Sequence, residues 1–251
     1  MSDPGKTLLV TGGGRGIGAA ICRIGAARGY RVAVNYAEND AAAKSLVEDI
    51  ESAGGTAFAV RGDVGSEPDV LAIFEAIDRK WGRLDALVNN AGVVDRKARI
   101  DEMSAARIER MMRINIVGSL LCAREAVKRM STRHGGQGGA IVNLSSIAAT
   151  LGGSGEYVDY AASKGAINAF TIGLSKEVAT EGIRVNAVSP GIIDTEIHAS
   201  GGQPHRVEAM REFVPMKRAG TAEEIAHAVL WFLSDEASYA TGSVMNVSGG
   251  R

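Results

Sequence analysis

"LLVTGGGRGIGAAI", residues 8–21, decides the fold. The apolar run Leu8–Leu9–Val10 stops at a cluster of glycines, and small and apolar residues of helical period follow, so the stretch reads as strand, tight turn and helix. Gly12, Gly16 and Gly18 stand where such a turn has demands that only glycine meets. A tight turn needs free φ, and a pyrophosphate needs backbone with no Cβ in the way. The helix opening at Gly16 and Ile17 then contributes amides and its positive dipole end. The spacing is Gly-x-x-x-Gly-x-Gly, a variant of the commoner dinucleotide fingerprint.

Outward from this turn the same alternation continues. Six more short runs have strand character: "RVAVNY", "AFAVRGD", "LDALVNNAG", "GAIVNLSS", "IRVNAVSPG" and "GSVMNVSGG". Several are almost wholly apolar, as parallel strands covered on both faces must be. Helical periodicity fills 16–29, 39–53, 67–80, 104–131, 156–181 and 221–234, the last opened by a Thr221/Glu224 capping box. The expected class is α/β, a doubly wound parallel sheet of seven strands with helices on both faces. Residues 1–251 read as a single domain. The one long irregular stretch, 192–217, is expected to be a lid over a substrate, with a mobile tip at "SGGQP".

Composition excludes other classes. The chain has 251 residues, a formal net charge of −1 and Lys and Arg scattered along its length, so no basic face for nucleic acid is declared. No apolar run is long enough to span a bilayer and no leader pattern opens the chain, which reads as a cytoplasmic protein. Cys22 and Cys122 sit in apolar helical patterns as core thiols, and the four histidines form no ligand pair, so no metal site is expected.

The second strand carries information about the cofactor. An acid at its end would hold the ribose hydroxyls of NAD, but Asn35 and Tyr36 stand there. Arg15 in the glycine turn supplies a planar cation suited to a 2′-phosphate, which favours NADP(H); Glu38 leaves NAD(H) open. Asp63, with Val64 beside it, follows the third strand and could accept from an adenine amino group. Asn90, Ala91 and Gly92 follow the fourth and would bring small-residue backbone to the adenosine ribose.

Reducing a carbonyl by hydride needs a proton donor aimed at its oxygen. A free tyrosine has a pKa of about 10 and is a poor base at neutral pH; a nearby ammonium favours the phenolate. Tyr160 and Lys164 are spaced i, i+4 on one helix face, whereas Tyr157 has Ala161 in the matching place. Ser145 and Ser146 end the fifth strand, where a hydroxyl could orient a carbonyl oxygen.

In this order "TGGGRGIG", "GDV", "NNAG", "RINIVG", "SS", "YAASK" and "SPGIIDT" resemble the motifs of the short-chain dehydrogenase/reductase family over essentially the whole chain. The resemblance implies one Rossmann-type domain with strand order 3-2-1-4-5-6-7, hydride transfer at the nicotinamide C4, and a homotetramer. It implies Tyr160 as acid/base, Lys164 lowering its pKa and holding the nicotinamide ribose, Ser146 positioning the substrate oxygen, and Asn115 holding a relay water. Pro190, Gly191, Ile193 and Thr195 would line the nicotinamide side, Ile193 through its amide and Thr195 through its hydroxyl.

In the family the serine commonly precedes the tyrosine by 13 residues. Here Ser146 precedes Tyr160 by 14 and Ser145 by 15, so the glycines of "AATLGGSGEYVD" must absorb an extra residue, and Ser145, then Ser154, stay alternatives. Tyr157 is expected to wall the pocket or to pack where the helix begins. The leading expectation is an NADPH-dependent reductase of a small carbonyl compound or the reverse alcohol dehydrogenase. A 3-oxoacyl thioester reductase and a glucose-type sugar dehydrogenase are the alternatives, followed by a non-catalytic nucleotide-binding regulator.

Overall fold

A computed structural model describes residues 5–196 and 201–251. Seven strands form one parallel sheet: β1 Thr7–Val10, β2 Arg31–Tyr36, β3 Thr56–Arg61, β4 Ala86–Asn89, β5 Gly139–Leu144, β6 Ile183–Pro190 and β7 Val244–Val247. Their order is β3-β2-β1-β4-β5-β6-β7, so the chain winds outward from β1 in one direction and then in the other. The sequence expectation for the fold is met in strand count, order and direction.

The two faces of the sheet have separate cores. Leu8 and Val10 face α1 (Gly16–Ala27), α2 (Asp40–Ser52) and the helix Ala222–Leu233, whereas Leu9 faces α3 (Glu67–Trp81) and the helix Gly118–Met130. This alternation is the period of two of a strand, and both sets are apolar because both faces are covered. Every residue of β1 and β4 is buried. At about 1.5–3 kcal/mol per fully buried aliphatic or aromatic side chain, the two layers of apolar contacts hold the sheet between its helices.

One expectation needs correction. Residues 104–131 read as one helix, but the chain forms α4 (Ala105–Met112), a π turn (Arg113–Val117) and α5 (Gly118–Met130). The π turn carries one residue more than an α turn would, and Asn115 within it bonds outside its own helix. Its Oδ1 accepts from the Val93 amide at 2.8 Å, and its Nδ2 donates to the Val93 carbonyl at 3.0 Å. Periodicity alone could not show a break made by a tertiary contact.

Two short helices lie outside the expected helical periods: α6 (Ala148–Leu151) and, within 192–217, α8 (Arg206–Met210). The long helix α7 covers Val158–Val178, and α9 (Ala222–Leu233) begins on the expected capping box. Thr221 Oγ1 accepts from the Glu224 amide while a Glu224 carboxylate oxygen accepts from the Thr221 amide. Of the expected lid segment 192–217, residues 197–200 lie outside the described residues. Before them the Asp194 amide donates to the Gly220 carbonyl at 3.0 Å, tying the base of the segment to the approach of α9.

Candidate active site

The strands end on one edge of the sheet, and the crevice there collects the candidate residues. At the turn after β1, Gly12 is left-handed with φ +60°, and a Cβ on it would lie 3.0 Å from Ala91 Cα. A Cβ on Gly18 would lie 2.6 Å from Asn90 Nδ2. The turn therefore accepts no side chain at these two positions. The α1 N-terminus has no side-chain cap and no acidic residue in its first turn, so its amides face outward from a positive dipole end. This cradle fits a dinucleotide pyrophosphate.

Asn90 braces the cradle from β4: its Nδ2 donates to the Thr11 and Gly12 carbonyls, both at 2.9 Å. Thr11, which the sequence reading passed over, has a comparable part. Its hydroxyl oxygen accepts from the amides of Asn90 and Ala91, both at 3.0 Å. Its only advance sign was its place at the end of β1, where any short polar residue would have looked the same.

Asn35 is 1% exposed. Its Nδ2 donates to the Val60 and Gly62 carbonyls and its Oδ1 accepts from the Gly12 amide at 3.3 Å, so the side chain fastens the turn to β3. Tyr36 reaches forward and its hydroxyl donates to Asp40, whose other carboxylate oxygen meets Lys44 Nζ at 2.8 Å. Asp40, the first residue of α2, is thus already held, and the Lys44 ammonium, first, and then the Tyr36 hydroxyl keep its carboxyl below the usual range. Arg15, at the N-cap of α1, is exposed.

Asp63 is bound on both carboxylate oxygens: one accepts from the Gly65 amide at 2.9 Å and the other from Arg113 at 3.1 Å. Val64 is buried beneath it. At the far side of the crevice, Thr195 lies against the Gly16 position, whose Cβ would sit 3.4 Å from the Thr195 side chain. The segment after β6 is thereby brought over the glycine turn. The Gly191 amide donates to the Val247 carbonyl, and the Pro190 carbonyl accepts from Ile147, so Pro190 and Gly191 join β7 to the loop after β5.

A cavity of about 510 Å³ lies between these parts, and Ser146, Tyr160 and Lys164 line it together with Ile17, Asn90, Gly92, Gly191, Ile193 and Thr195. Ser146 Oγ accepts from the Ala148 amide at 3.1 Å, and its hydroxyl is near enough to Tyr160 to favour the phenolate. Ser145 behaves differently: it is 3% exposed and its hydroxyl donates to the Lys164 carbonyl at 3.2 Å, which turns it toward α7. Neighbouring residues at a strand end face opposite ways, so the two serines divide these tasks. The extra residue between serine and tyrosine is absorbed after α6 by Gly152, Gly153 and Gly155, all left-handed with φ between 62° and 78°.

Lys164 is almost wholly buried and its Nζ donates to the Leu144 carbonyl at 2.7 Å, 5.6 Å from the centre of the Tyr160 ring. Burial pushes the ammonium down to about 8. The expectation that Lys164 lowers the tyrosine pKa is not what the protein alone displays. Burial is the larger influence and raises Tyr160 above its ordinary value, and the Ser146 hydrogen bond acts in the lowering direction. The phenol is held in its protonated, donating form.

Asn115 is fully buried and its side-chain carbonyl is taken by the Val93 amide. Its Nδ2 also reaches Ser163 Oγ at 3.1 Å, one residue before Lys164. Its main-chain carbonyl accepts from Ser119 Oγ at 3.2 Å. Sequence reading also missed the polar thread that registers α7 on the sheet. Asn89 Nδ2 donates to Asn143 Oδ1 at 2.9 Å and Asn143 Nδ2 to Thr171 Oγ1 at 2.9 Å, through otherwise apolar positions.

Comparison with known proteins agrees with this architecture. A family model described as Enoyl-(Acyl carrier protein) reductase matches residues 12–251. The Escherichia coli uncharacterized oxidoreductase YgfF is 54% identical, over 97% of this chain and 98% of its own. A 3-oxoacyl-[acyl-carrier-protein] reductase of Synechocystis and glucose 1-dehydrogenase 2 of Bacillus subtilis are each 35% identical over 98% of this chain, covering 96% and 94% of their own lengths. Among solved structures, a short chain dehydrogenase from Burkholderia cenocepacia in complex with NADP superimposes with a TM-score of 0.89 at 31% identity, over 98% of this chain and 97% of that one. With sheet order, crevice and relatives in agreement along the whole chain, the protein belongs to the short-chain dehydrogenase/reductase family of oxidoreductases.

Proposed function

We propose that the protein reduces the carbonyl group of a small molecule with NADPH, and oxidises the corresponding secondary alcohol in reverse, using Tyr160 as the acid and base. The observation that carries this reading is the meeting of Ser146, Tyr160 and Lys164 in the one cavity that also opens onto the glycine turn. When bound, the cofactor supplies or takes the hydride at its nicotinamide ring.

The residues of the chain handle the oxygen and its proton. Ser146 donates to the substrate oxygen and holds it beside the Tyr160 hydroxyl. In reduction, the Tyr160 proton passes to the oxygen as the carbonyl carbon becomes tetrahedral; in oxidation the phenolate takes it back. Lys164 places a positive charge behind the phenol, favouring the phenolate as it forms, and holds the nicotinamide ribose. Asn115 fixes the π turn against Val93 and Ser163, and so the floor beneath Lys164.

The cofactor would be cradled by Gly12, Gly16, Ile17 and Gly18 at the pyrophosphate, by Asn90, Ala91 and Gly92 at the adenosine ribose, and by Asp63 and Val64 at the adenine. Pro190, Gly191, Ile193 and Thr195 would line the nicotinamide. The preference for NADP(H) is supported at the end of β2, where Asn35 is neutral and buried, Asp40 is held by Tyr36 and Lys44, and Arg15 stands exposed at the helix N-terminus. Residues 1–251 act as one domain, with 192–217 as the substrate lid. Exposed Leu120 on α5 and Ile172 on α7 favour assembly through helix faces into the family's tetramer. No helix among the described residues is long and apolar enough to cross a membrane, in keeping with a cytoplasmic enzyme.

The test is NADPH or NADH consumption at 340 nm with ketones, aldehydes, acyl thioesters and sugars. Turnover of at least one carbonyl class with NADPH preferred is expected; no turnover of any class contradicts the reading. Acyl thioesters and sugars are included because relatives bear the names of a 3-oxoacyl reductase and a glucose dehydrogenase. Arg15→Ala should weaken NADPH about tenfold or more and NADH hardly at all, as the loss of a charge-assisted contact predicts. Equal losses for both nucleotides would remove Arg15 from the 2′-phosphate.

A further inference from the structure

The reaction chemistry leaves one buried cation of the cavity unused. Arg206, on α8, lines the cavity, yet its side chain is only 7% exposed. Its guanidinium carbon lies 4.9 Å over the ring of Tyr157, and that ring meets Tyr160 edge-on with centres 5.9 Å apart. One terminal nitrogen donates to Glu156 Oε2 at 2.8 Å and the other to Gln203 Oε1 at 2.7 Å, while Glu156 is also met by Lys97 at 2.5 Å. A guanidinium has five N–H donors, and these two bonds use two of them.

The Glu156 carboxylate is shared between the buried Arg206 and Lys97, which is half exposed. Burying an arginine is costly, and the carboxylate that offsets that cost is divided between two cations. Apolar side chains, among them Ile147, Leu151, Ile192 and Met210, line the same cavity. The cavity therefore combines a proton donor, apolar surface and a planar cation beyond the Tyr157 ring.

We propose that Arg206 is a specificity-determining residue that receives an anionic oxygen group on the substrate, a carboxylate best matching its fork, so that the substrate class is an oxo acid with an apolar middle. This deepens the carbonyl-reductase reading and rests on it. The substrate lies with its carbonyl at Ser146 and Tyr160 and its carboxylate under α8, and Tyr157 separates the two ends. Glu156 and Gln203 aim the guanidinium, and the binding energy of the carboxylate draws the 201–210 segment down over the cavity.

Keto acids of graded length and their methyl esters, offered with NADPH, test this through the ratio of kcat/KM for acid to ester. A ratio of about ten to one hundred is expected for the wild type, falling to about one in Arg206→Leu and to an intermediate value in Arg206→Lys. A wild-type ratio near one, or a ratio unchanged in Arg206→Leu while both rates fall, overturns the proposal and leaves Arg206 as a fastening for the lid. Arg206→Lys serves alone if the leucine variant does not fold. Thermal melting of the NADP⁺ complex separates this from the reaction assignment. Keto acid but not ester should raise the wild-type Tm even if neither is turned over, and the Arg206 variants should lose that shift; no shift in the wild type counts against the proposal.

Discussion

Lys164 is buried and Tyr160 half-buried, and loss of solvent moves them in opposite directions. The phenol is raised, so it is protonated through neutral pH, while the ammonium is lowered to about 8. Reduction uses the protonated phenol beside a charged lysine. Its kcat/KM should be level at neutral pH and fall as the medium rises through about 8, where Lys164 loses its proton. Oxidation needs the phenolate and should climb with pH. Profiles measured in both directions would reverse the assignment if reduction rose across that window. The pair itself was legible in the sequence, because i, i+4 spacing survives any tertiary detail. Ser146 was less so: both serines line the cavity, and only the folded chain brings the Lys164 carbonyl within reach of the Ser145 hydroxyl. Asn35 was legible as the absence of an acid but not as a bracket beneath the glycine turn, since its partners Val60 and Gly62 come from another strand.

At the scale of elements, the tyrosine helix is held by an ion pair that plays no part in the chemistry. Arg107 of α4 donates through two nitrogens to both oxygens of Asp159, at 2.8 and 3.2 Å, with Asp159 1% and Arg107 11% exposed. Arg107 also donates to the Arg96 carbonyl, and Asp159 accepts from the Tyr160 amide, so one pair fixes α4, the loop after β4 and the first turn of α7. Removing one partner leaves a buried charge alone. Asp159→Ala should cost about 3–5 kcal/mol in urea unfolding, and adding Arg107→Met should recover part of that loss. A cost under about 1 kcal/mol would show that the pair is too well solvated to hold the helix. The pair could not be read from sequence, for its members are 52 positions apart and charged residues recur along most of the longer helices. The π turn escaped for a related reason, since Asn115 gives up the α pattern for Val93, which only the folded chain brings near.

The whole molecule explains why the site gathers pieces from most of the chain. In a parallel sheet wound outward from β1 in both directions, the crevice falls where the winding reverses, between β1 and β4. The glycine turn and Asn90 flank it there, β5 and α7 supply Ser146, Tyr160 and Lys164, and the segment after β6 returns Thr195 to Gly16. This plan was legible because near-uniform apolar runs, regular alternation and one glycine turn leave few topologies open. The segment 192–217 was legible only as a break in that alternation, and its Arg206 not at all. Cofactor and proton donor come from separate parts of the sheet, so removing one hydroxyl should separate binding from chemistry. The most direct measurement is on Tyr160→Phe: NADPH affinity by fluorescence titration beside kcat for a carbonyl substrate that the wild type reduces. The account predicts affinity within about twofold of wild type and kcat reduced about 100- to 10,000-fold. A variant that binds NADPH and keeps most of its turnover would contradict it.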